Sequence, residues 1–174
     1  MNNLTEMYLE LREPIFRYLL RLSGNYDLAE ELTQETFLQA LQALPKFRKE
    51  SSIKTWLYAI ARNTYLHRIN KDRKKDKILV SITDDFQESG ANLEDPAEQF
   101  LQKEQNLLMK KAIYSLQEAY RTVIILKEFE ELSYKEIAGI LGKTENWVRV
   151  TFFRAKQSLK EIYETVGKGE GNED

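Results

Sequence analysis

The feature that most constrains the fold is segment 132–159, where the signals for two helices follow each other closely. Ser133 and Glu136 have the spacing of a capping box, in which each side chain accepts a hydrogen bond from the other residue's backbone N–H. Gly142 suits the left-handed conformation that often follows a helix end. Thr144 then predicts the cap of a second helix after a turn of about three residues. The segment is therefore predicted to form a helix-turn-helix.

The predicted second helix has two chemically different faces. Its apolar side chains recur at helical spacing and comprise Val148, Phe152, Ala155, Leu159 and Ile162. The opposite face, named the recognition face below, comprises Asn146, Arg149, Val150, Phe153, Lys156 and Lys160. Asn and Arg can hydrogen-bond to base edges, apolar side chains can contact thymine methyls, and lysines suit phosphates. A helical hairpin with a solvated face is the alternative, but it poorly explains exposed Val150 and Phe153. We predict that this helix enters the major groove of DNA.

The composition favours helix along the whole chain and excludes several function classes. Only three prolines and seven glycines occur in 174 residues. The absence of cysteine excludes disulfides and thiolate metal sites, and fits a reducing cytosol. We expect a cytoplasmic protein, since no signal peptide or direct membrane insertion is indicated. No metal-ligand cluster, glycine-rich phosphate loop or nucleophile with a histidine base is evident, so neither enzymatic activity nor a cofactor is expected.

Charge divides the chain into regions. The formal net charge of −2 argues weakly against a protein that coats DNA by itself. However, residues 46–77 hold eleven basic and three acidic side chains, whereas residues 81–97 hold five acidic and no basic ones. The acidic stretch also lacks helical periodicity and is rich in turn formers. We predict a helical domain at 1–80, an acidic linker at 81–97, a second helical domain at 98–166 and a disordered acidic tail at 167–174.

Start and stop signals predict the helices of both domains. In the N-terminal domain they fall at about 4–12, 14–24, 26–44 and 52–70, with Pro14 opening the second helix. In the C-terminal domain helices at about 97–116 and 119–129 precede the helix-turn-helix.

The predicted third helix carries a polar stripe on its outer side. This docking stripe comprises Asp27, Glu31, Gln34, Glu35 and Leu38. A leucine within acids and amides is typical of a protein-docking surface. A plain solvated face is equally compatible, because single exposed leucines are common.

The predicted fourth helix combines aromatic and basic side chains. Its core side comprises Ile53, Trp56, Leu57, Ile60, Ala61 and Thr64. Tyr58, Arg62, Tyr65 and Ile69 share the other side, and a basic run follows them. Aromatic rings can stack on unpaired bases while cations hold the backbone of single-stranded nucleic acid. Alternatively the tyrosines pack under neighbouring helices, which we expect for one of the two.

A set of ordered motifs identifies a family resemblance. In chain order the sequence carries DLAEELTQETF at 27–37, FR at 47–48, SS at 51–52, TWLYAIARN at 55–63, YR at 120–121, LSYKEIA at 132–138 and RA at 154–155. This set resembles the extracytoplasmic-function (ECF) sigma factors, the small two-domain class of the bacterial sigma-70 family. The resemblance covers nearly the whole chain outside the linker and tail. It implies an all-α fold in which sigma region 2 and sigma region 4 are joined by a flexible linker.

The resemblance also implies partners for each surface. The docking stripe would bind the clamp coiled coil of the polymerase β′ subunit. The −10 promoter element would be bound and melted by Arg48, Lys49, Ser51, Ser52, Lys54, Trp56, Tyr58, Arg62, Asn63 and Tyr65. The recognition face would bind the −35 element while the C-terminal domain contacts the β flap. The family further implies promoter selection in response to envelope or environmental stress, controlled by an anti-sigma factor that is often membrane-bound.

Several positions depart from the family pattern. They are Lys49 and Glu131 where glycine is common, His67 for aspartate, Gln117 for proline, Asn146-Trp147 for Gly-Thr, and Thr151 for arginine. The exact promoter sequence therefore does not follow from the family. The alternative function is a free-standing helix-turn-helix regulator that binds duplex DNA as a dimer without polymerase.

Overall fold

The computed structural model describes residues 2–75 and 96–169, and every regular element in these two ranges is helical. The N-terminal domain comprises α1 (Asn2–Ser23), α2 (Tyr26–Ala43), a 3-10 turn (Leu44–Lys46) and α3 (Ile53–Arg73). The C-terminal domain comprises α4 (Pro96–Ser115), α5 (Glu118–Ile124), a π-helical turn (Ile125–Phe129), α6 (Tyr134–Leu141) and α7 (Glu145–Gly169). The predicted all-α fold is confirmed. None of the described helices is long and apolar enough to cross a membrane.

The two helices predicted at 4–12 and 14–24 are a single helix, and this prediction is wrong. Pro14 lies inside α1 and does not open a new helix. An interior proline costs about 3 kcal/mol, because it removes one hydrogen bond and crowds the preceding turn. On either side of it α1 buries Met7, Ile15 and Leu19. Each such side chain contributes about 1.5–3 kcal/mol on burial, so packing outweighs the proline.

The remaining elements of the N-terminal domain begin and end at capping residues. Gly24 ends α1 with φ +65°, and the Asn25 side chain then accepts a hydrogen bond of 2.9 Å from the Leu28 backbone N–H. Ser52 caps α3 in the same way, since its hydroxyl accepts from the Thr55 backbone N–H at 3.1 Å. These caps place α2 and α3 against α1.

The helix-turn-helix forms as predicted. Glu136 accepts from the Ser133 backbone N–H at 2.8 Å, and Ser133 accepts from the Glu136 backbone N–H at 3.1 Å. The backbone hydrogen bond from Ser133 holds the pKa of Glu136 below its ordinary value. Gly142 has φ +62°, and the Thr144 hydroxyl caps α7 by accepting from the Trp147 N–H at 3.1 Å. The capping box, the left-handed glycine and the second cap are confirmed.

The two domains pack together around one continuous core. Buried residues of both domains belong to a single cluster, which includes Leu19 and Leu57 of the first domain and Ile125 and Ile137 of the second. Helix α3 contacts α6, and the π-helical turn contacts α1. The C-terminal domain therefore covers one side of α3.

The predicted linker and tail lie largely outside the described residues. Within the predicted linker 81–97, only residues 96 and 97 are described, and they begin α4. Helix α7 continues to Gly169, so the first three residues of the predicted tail are helical. Residues 170–174 lie outside the described part of the chain.

Candidate functional site

The recognition face of α7 is exposed along its whole length. All six of its residues are exposed, and the apolar ones are 39 % (Val150) and 63 % (Phe153) accessible. On the opposite side of the helix Val148, Phe152 and Ala155 are buried. Burying one face of α7 against the core therefore leaves two large apolar side chains among cations in solvent, as the amphipathic spacing predicts.

Aromatic rings lie beside several cations of the helix-turn-helix. The Arg149 guanidinium carbon is 4.8 Å from the centre of the Tyr134 ring, and the Lys156 ammonium is 5.2 Å from that of Phe152. Such contacts restrict a long side chain without neutralising its charge. Thr151, at a position where the family often has arginine, is buried. The Thr151 side chain therefore does not belong to the recognition face.

The docking stripe on α2 is also open to solvent. Asp27, Glu31, Gln34 and Leu38 are exposed, while Glu35 is half-buried and accepts from the Gln39 amide at 3.1 Å. Leu38 is 56 % accessible. The predicted stripe is thus a continuous surface of acids and amides around an exposed leucine.

One residue of this surface is absent from the sequence prediction. Leu41 is also exposed and lies three positions after Leu38, so the two side chains share one helix face. The i, i+3 spacing was the available signal for it. The arginine Arg68 of α3 pairs with Glu31 (Nη2–Oε2 2.5 Å), which ties the stripe to the next helix.

The loop before α3 exposes most of its predicted nucleic-acid contacts. Those exposed are Arg48, Lys49, Ser51, Ser52 and Lys54. The rings of Phe47 and Trp56 stack 4.8 Å apart and fix the two ends of the loop. Because the Ser52 hydroxyl is engaged as the α3 cap, it has a structural role besides its predicted one.

Two of the departures from the family pattern have unusual backbone conformations. Lys49 has φ +56° and Glu131 has φ +54°, which are the non-glycine residues with positive φ in the described chain. Both stand where the family commonly has glycine. A side chain in this left-handed region costs about 1–2 kcal/mol relative to glycine's freedom. Both positions therefore keep the left-handed backbone conformation that glycine favours, although neither residue is a glycine.

Tyr58 and Tyr65 are both buried, contrary to the expectation that only one of them packs under neighbouring helices. The Tyr58 ring meets Tyr18 edge-on at 5.1 Å, and its hydroxyl donates to the Glu130 carboxylate at 2.6 Å. The Tyr65 hydroxyl donates to the Leu22 carbonyl at 3.2 Å. In the packed chain neither ring offers a face to a base. The side of α3 that carries Tyr58, Arg62 and Tyr65, named the tyrosine face below, is covered.

Two other predicted melting residues of α3 remain accessible, whereas Arg62 is covered. Asn63 is exposed and Trp56 is half-buried. Arg62 is half-buried, with its Nη2 atom 3.3 Å from the Glu118 carboxylate of the C-terminal domain. The structure thus separates the predicted −10 residues into an open group on the loop and a covered group on the tyrosine face.

The contact between the two domains includes several polar and charged groups beside the apolar core that the domains share. Glu130, whose side chain is 8 % accessible, accepts from Tyr58 and from Arg21 (3.3 Å). The Tyr114 hydroxyl donates to the backbone carbonyls of α1, at 2.9 Å for Arg21. Tyr114 packs so closely on Gly24 that a Cβ there would lie 2.5 Å from the tyrosine side chain. Tyr114, Glu118 and Glu130 could not be predicted from the sequence, because no local pattern marks a residue that pairs with another domain.

Buried polar atoms lie beside the contacts of this interface. Among the described side chains they include the Tyr18 hydroxyl, Arg62 Nε and Arg121 Nε. Burial raises the pKa of the Tyr58 phenol far above its ordinary value, and the neighbouring Glu130 charge raises it further. Specific hydrogen bonds and ion pairs therefore join the two domains in addition to their shared apolar core.

Comparison with known proteins identifies the family. Residues 7–75 match Sigma-70 region 2, and residues 107–159 match Sigma-70, region 4. These matches cover more than half of the chain and coincide with its two domains. The chain belongs to the sigma-70 family. The resemblance inferred from the ordered motifs is confirmed.

Curated relatives support the same assignment within the family. The chain is 34% identical over 160 residues to RNA polymerase sigma factor YlaC of Bacillus subtilis, covering 91% of each. It is 32% identical over 163 residues to ECF RNA polymerase sigma factor SigM of the same organism, covering 91% of this chain and 93% of SigM. To the ECF RNA polymerase sigma-E factor of Escherichia coli it is 34% identical over 134 residues, covering 74% and 70%. The ECF class is therefore the one to which the chain is similar.

Two solved structures share the fold. The sigma factor RpoE of Bartonella quintana, solved in complex with the anti-sigma factor NepR, has a TM-score of 0.76 at 24% identity, covering 94% of this chain and 98% of RpoE. CnrH, solved in complex with the cytosolic domain of CnrY, has a TM-score of 0.66 at 17% identity, covering 93% and 88%. These similarities extend across both domains and show the fold.

Proposed function

We propose that the chain is an ECF sigma factor, which directs core RNA polymerase to specific promoters for transcription initiation without catalysing a reaction itself. The observation that carries this proposal is the recognition face of α7, which presents Val150 and Phe153 together with four polar or basic side chains. Combined with sigma region 2 and region 4 in one chain, it supports a promoter-binding function. Such a protein acts in the cytoplasm, where polymerase and promoter DNA are found.

Each exposed surface has a partner in this proposal. The recognition face binds the −35 duplex, with Arg149 and Asn146 at base edges and the two lysines at phosphates. The docking stripe binds the β′ clamp coiled coil, and the C-terminal domain contacts the β flap. The loop residues Arg48 to Lys54 and the exposed Asn63 engage the −10 element.

Because the C-terminal domain covers the tyrosine face, the proposed function requires that this domain move. Tyr58 and Arg62 can reach melted DNA only if the C-terminal domain moves away from α3. Polymerase that binds the docking stripe and the C-terminal domain at separated places would favour this movement, because it binds the open arrangement better than the packed one. Promoter melting is thereby coupled to polymerase binding.

We also propose control by an anti-sigma factor and a role in envelope or environmental stress. Two structural neighbours were solved in complex with a partner, RpoE with the anti-sigma factor NepR and CnrH with the cytosolic domain of CnrY. By analogy, an anti-sigma factor would bind this chain when it is not bound to polymerase, for example while its two domains are packed together. Membrane attachment of that partner is compatible with a stress signal arising at the envelope.

The decisive experiment compares DNA binding with and without core polymerase. Promoter duplexes are selected from a random pool by the reconstituted holoenzyme, and fluorescence anisotropy then measures their affinity for the chain alone. We expect specific binding and melting only with core. Tight, specific binding of a duplex with paired half-sites by the isolated chain would instead support the free-standing regulator, which the open recognition face also permits.

A pair of leucine variants tests the docking stripe. Leu38→Asp should lower core affinity at least about 10-fold, since a central apolar side chain of an interface often contributes 2 kcal/mol or more. Leu9→Asp is the matched control, because Leu9 is 73 % accessible and lies on α1 outside the stripe. Equal core affinity of the two variants by analytical gel filtration would refute the docking stripe.

A further inference from the structure

Tyr134 occupies a particular position in the helix-turn-helix. It is the first residue of α6 and follows the Ser133 cap directly. Its ring is half-buried and meets the buried Phe152 ring of α7 edge-on, with centroids 6.0 Å apart. The ring is therefore fixed between the two helices rather than free in solvent.

This fixed ring lies against Arg149 of the recognition face. The Arg149 guanidinium carbon is 4.8 Å from the ring centre, although the residue as a whole is exposed. Arg149 lies one helical turn before Phe152, the residue that braces the ring on its edge. Tyr134 thus connects the packing of the two helices to the orientation of a single exposed arginine.

A second cation on the same ring has a different role. The Lys127 ammonium is 4.7 Å from the ring centre, and it also donates a hydrogen bond to the Leu132 carbonyl at 3.2 Å. Lys127 is therefore engaged with the backbone that leads into α6. Arg149 has no hydrogen bond or ion pair within the described residues, so its donors remain available for DNA.

Orientation of an arginine matters for base recognition. A guanidinium contacts guanine through two parallel hydrogen bonds, which require its plane to coincide with that of the base. A mobile arginine must lose rotamer freedom when it forms these bonds, and this loss weakens binding. An aromatic ring that restricts the side chain in the free protein reduces the loss.

We propose that Tyr134 is a positioning residue, which orients the Arg149 guanidinium for recognition of one base pair of the promoter. The inference rests on the proposed function of the recognition face. Tyr134 does not itself contact the base, and its aromatic ring rather than its hydroxyl performs the positioning. The specificity contributed by Arg149 therefore depends on a residue of the other helix.

The test uses variants that separate the ring from the hydroxyl. Tyr134→Phe keeps the ring, Tyr134→Leu removes it, and Lys127→Gln removes the second cation as a control. Each reconstituted holoenzyme is competed against single-base substitutions across the −35 region of a duplex selected by the wild type. Arg149→Ala first identifies the base pair that Arg149 distinguishes.

Tyr134→Leu should lower discrimination at that one base pair by about 3- to 10-fold, which corresponds to the ordering of one long side chain. Tyr134→Phe and Lys127→Gln should remain within about twofold of the wild type. In the Arg149→Ala background Tyr134→Leu should have no further effect on discrimination, because the two residues act as one unit. In the free protein, the ring-current shift of the Arg149 Nε–H signal should disappear in Tyr134→Leu and persist in Tyr134→Phe.

Three outcomes would overturn the proposal. A uniform loss of affinity at all base pairs would show that Tyr134 only stabilises the fold. Unchanged or increased discrimination would show that the ring is irrelevant or holds Arg149 away from DNA. If Arg149→Ala reveals no discriminated base pair, Tyr134 has nothing to position. A reconstituted holoenzyme that binds no promoter at all would instead refute the proposed function of the chain. Failure of the proposal for Tyr134 and failure of the proposed function are therefore distinguishable.

Discussion

The recognition face of α7 and the tyrosine face of α3 are both predicted DNA surfaces, yet the packed chain exposes the first and covers the second. Val150 and Phe153 are open to solvent, whereas Tyr58 and Tyr65 are buried. The two helices belong to different domains, and the C-terminal domain that presents one surface also covers the other. Under the proposed function, the surface for duplex DNA and the surface for melted DNA are thereby separated within one chain.

The chemistry of the two surfaces explains this difference. The recognition face combines apolar residues with cations, and all six of its residues are exposed to solvent. On the tyrosine face the Tyr58 hydroxyl donates to Glu130, and the Arg62 guanidinium pairs with Glu118. A carboxylate accepts from these groups as a DNA phosphate oxygen would. The C-terminal domain can therefore occupy α3 in place of nucleic acid.

Alkaline pH should lower the free energy of unfolding, mainly through the buried tyrosines near the contact between the domains. Burial raises the pKa of Tyr18, Tyr58, Tyr65 and Tyr114 above the ordinary tyrosine value. Above about pH 10 the unfolded chain loses these protons while the packed chain keeps them, so stability falls as pH rises, and below pH 10 this contribution is constant. Above pH 10 each phenol that stays protonated in the packed chain contributes up to about 1.4 kcal/mol per pH unit to this loss.

Urea unfolding between pH 9 and 11 measures this slope. Tyr58→Phe should reduce this slope by the amount that one tyrosine contributes. Equal slopes for Tyr58→Phe and the wild type would contradict the idea that the buried phenol resists ionisation.

Replacement of Glu130 should break the contact between the domains. Glu130→Ala leaves the buried Tyr58 hydroxyl without its acceptor and removes the carboxylate that pairs with Arg21. Loss of one partner from a buried pair costs about 3–5 kcal/mol. The chain has no native cysteine, so dyes on Gln42→Cys and Gln157→Cys can report the distance between the domains by energy transfer. We expect a shift to longer distances.

Glu128→Ala is the control for this experiment, because Glu128 is an exposed carboxylate in the same turn. The same energy transfer in both variants would mean that Glu130 does not hold the domains together.

A pair of glycine variants isolates the contact with Tyr114. Gly24 and Gly142 have nearly equal φ values of +65° and +62°, so alanine strains the backbone similarly at both. At Gly24 the new Cβ would also lie 2.5 Å from Tyr114, whereas at Gly142 nothing lies within 4 Å. Gly24→Ala should therefore destabilise the chain by about 1–3 kcal/mol more than Gly142→Ala. Thermal unfolding of the two variants measures the difference, and equal losses would argue against close packing of Tyr114.

The smallest expected effect concerns the two left-handed residues, Lys49 before α3 and Glu131 before α6. Lys49→Gly and Glu131→Gly should each stabilise the chain by about 1 kcal/mol, because glycine adopts φ near +55° without side-chain strain. Chemical denaturation measures both changes. Lys46→Gly is a suitable control, since Lys46 lies in a regular 3-10 turn and glycine should destabilise it. Destabilisation by all three would show that neither position is strained.

Features set by neighbouring residues could be predicted from the sequence, whereas features set by distant partners could not. The capping box, Gly142 and the two faces of α7 depend on spacings within one or two helical turns. Pro14 misled the prediction because burial of the flanking α1 residues outweighs a local helix-breaking preference. The tyrosine face was misjudged because its partner, Glu130, lies 72 positions away from Tyr58, and no periodicity links the two.

The covered tyrosine face has a consequence for a cell that makes this protein in excess. Surplus molecules keep Tyr58 and Arg62 occupied by their own C-terminal domains. They would compete for polymerase through the open docking stripe, but they would not trap the single strands exposed at replication forks or repair sites. Overproduction should therefore redistribute transcription without impeding DNA synthesis.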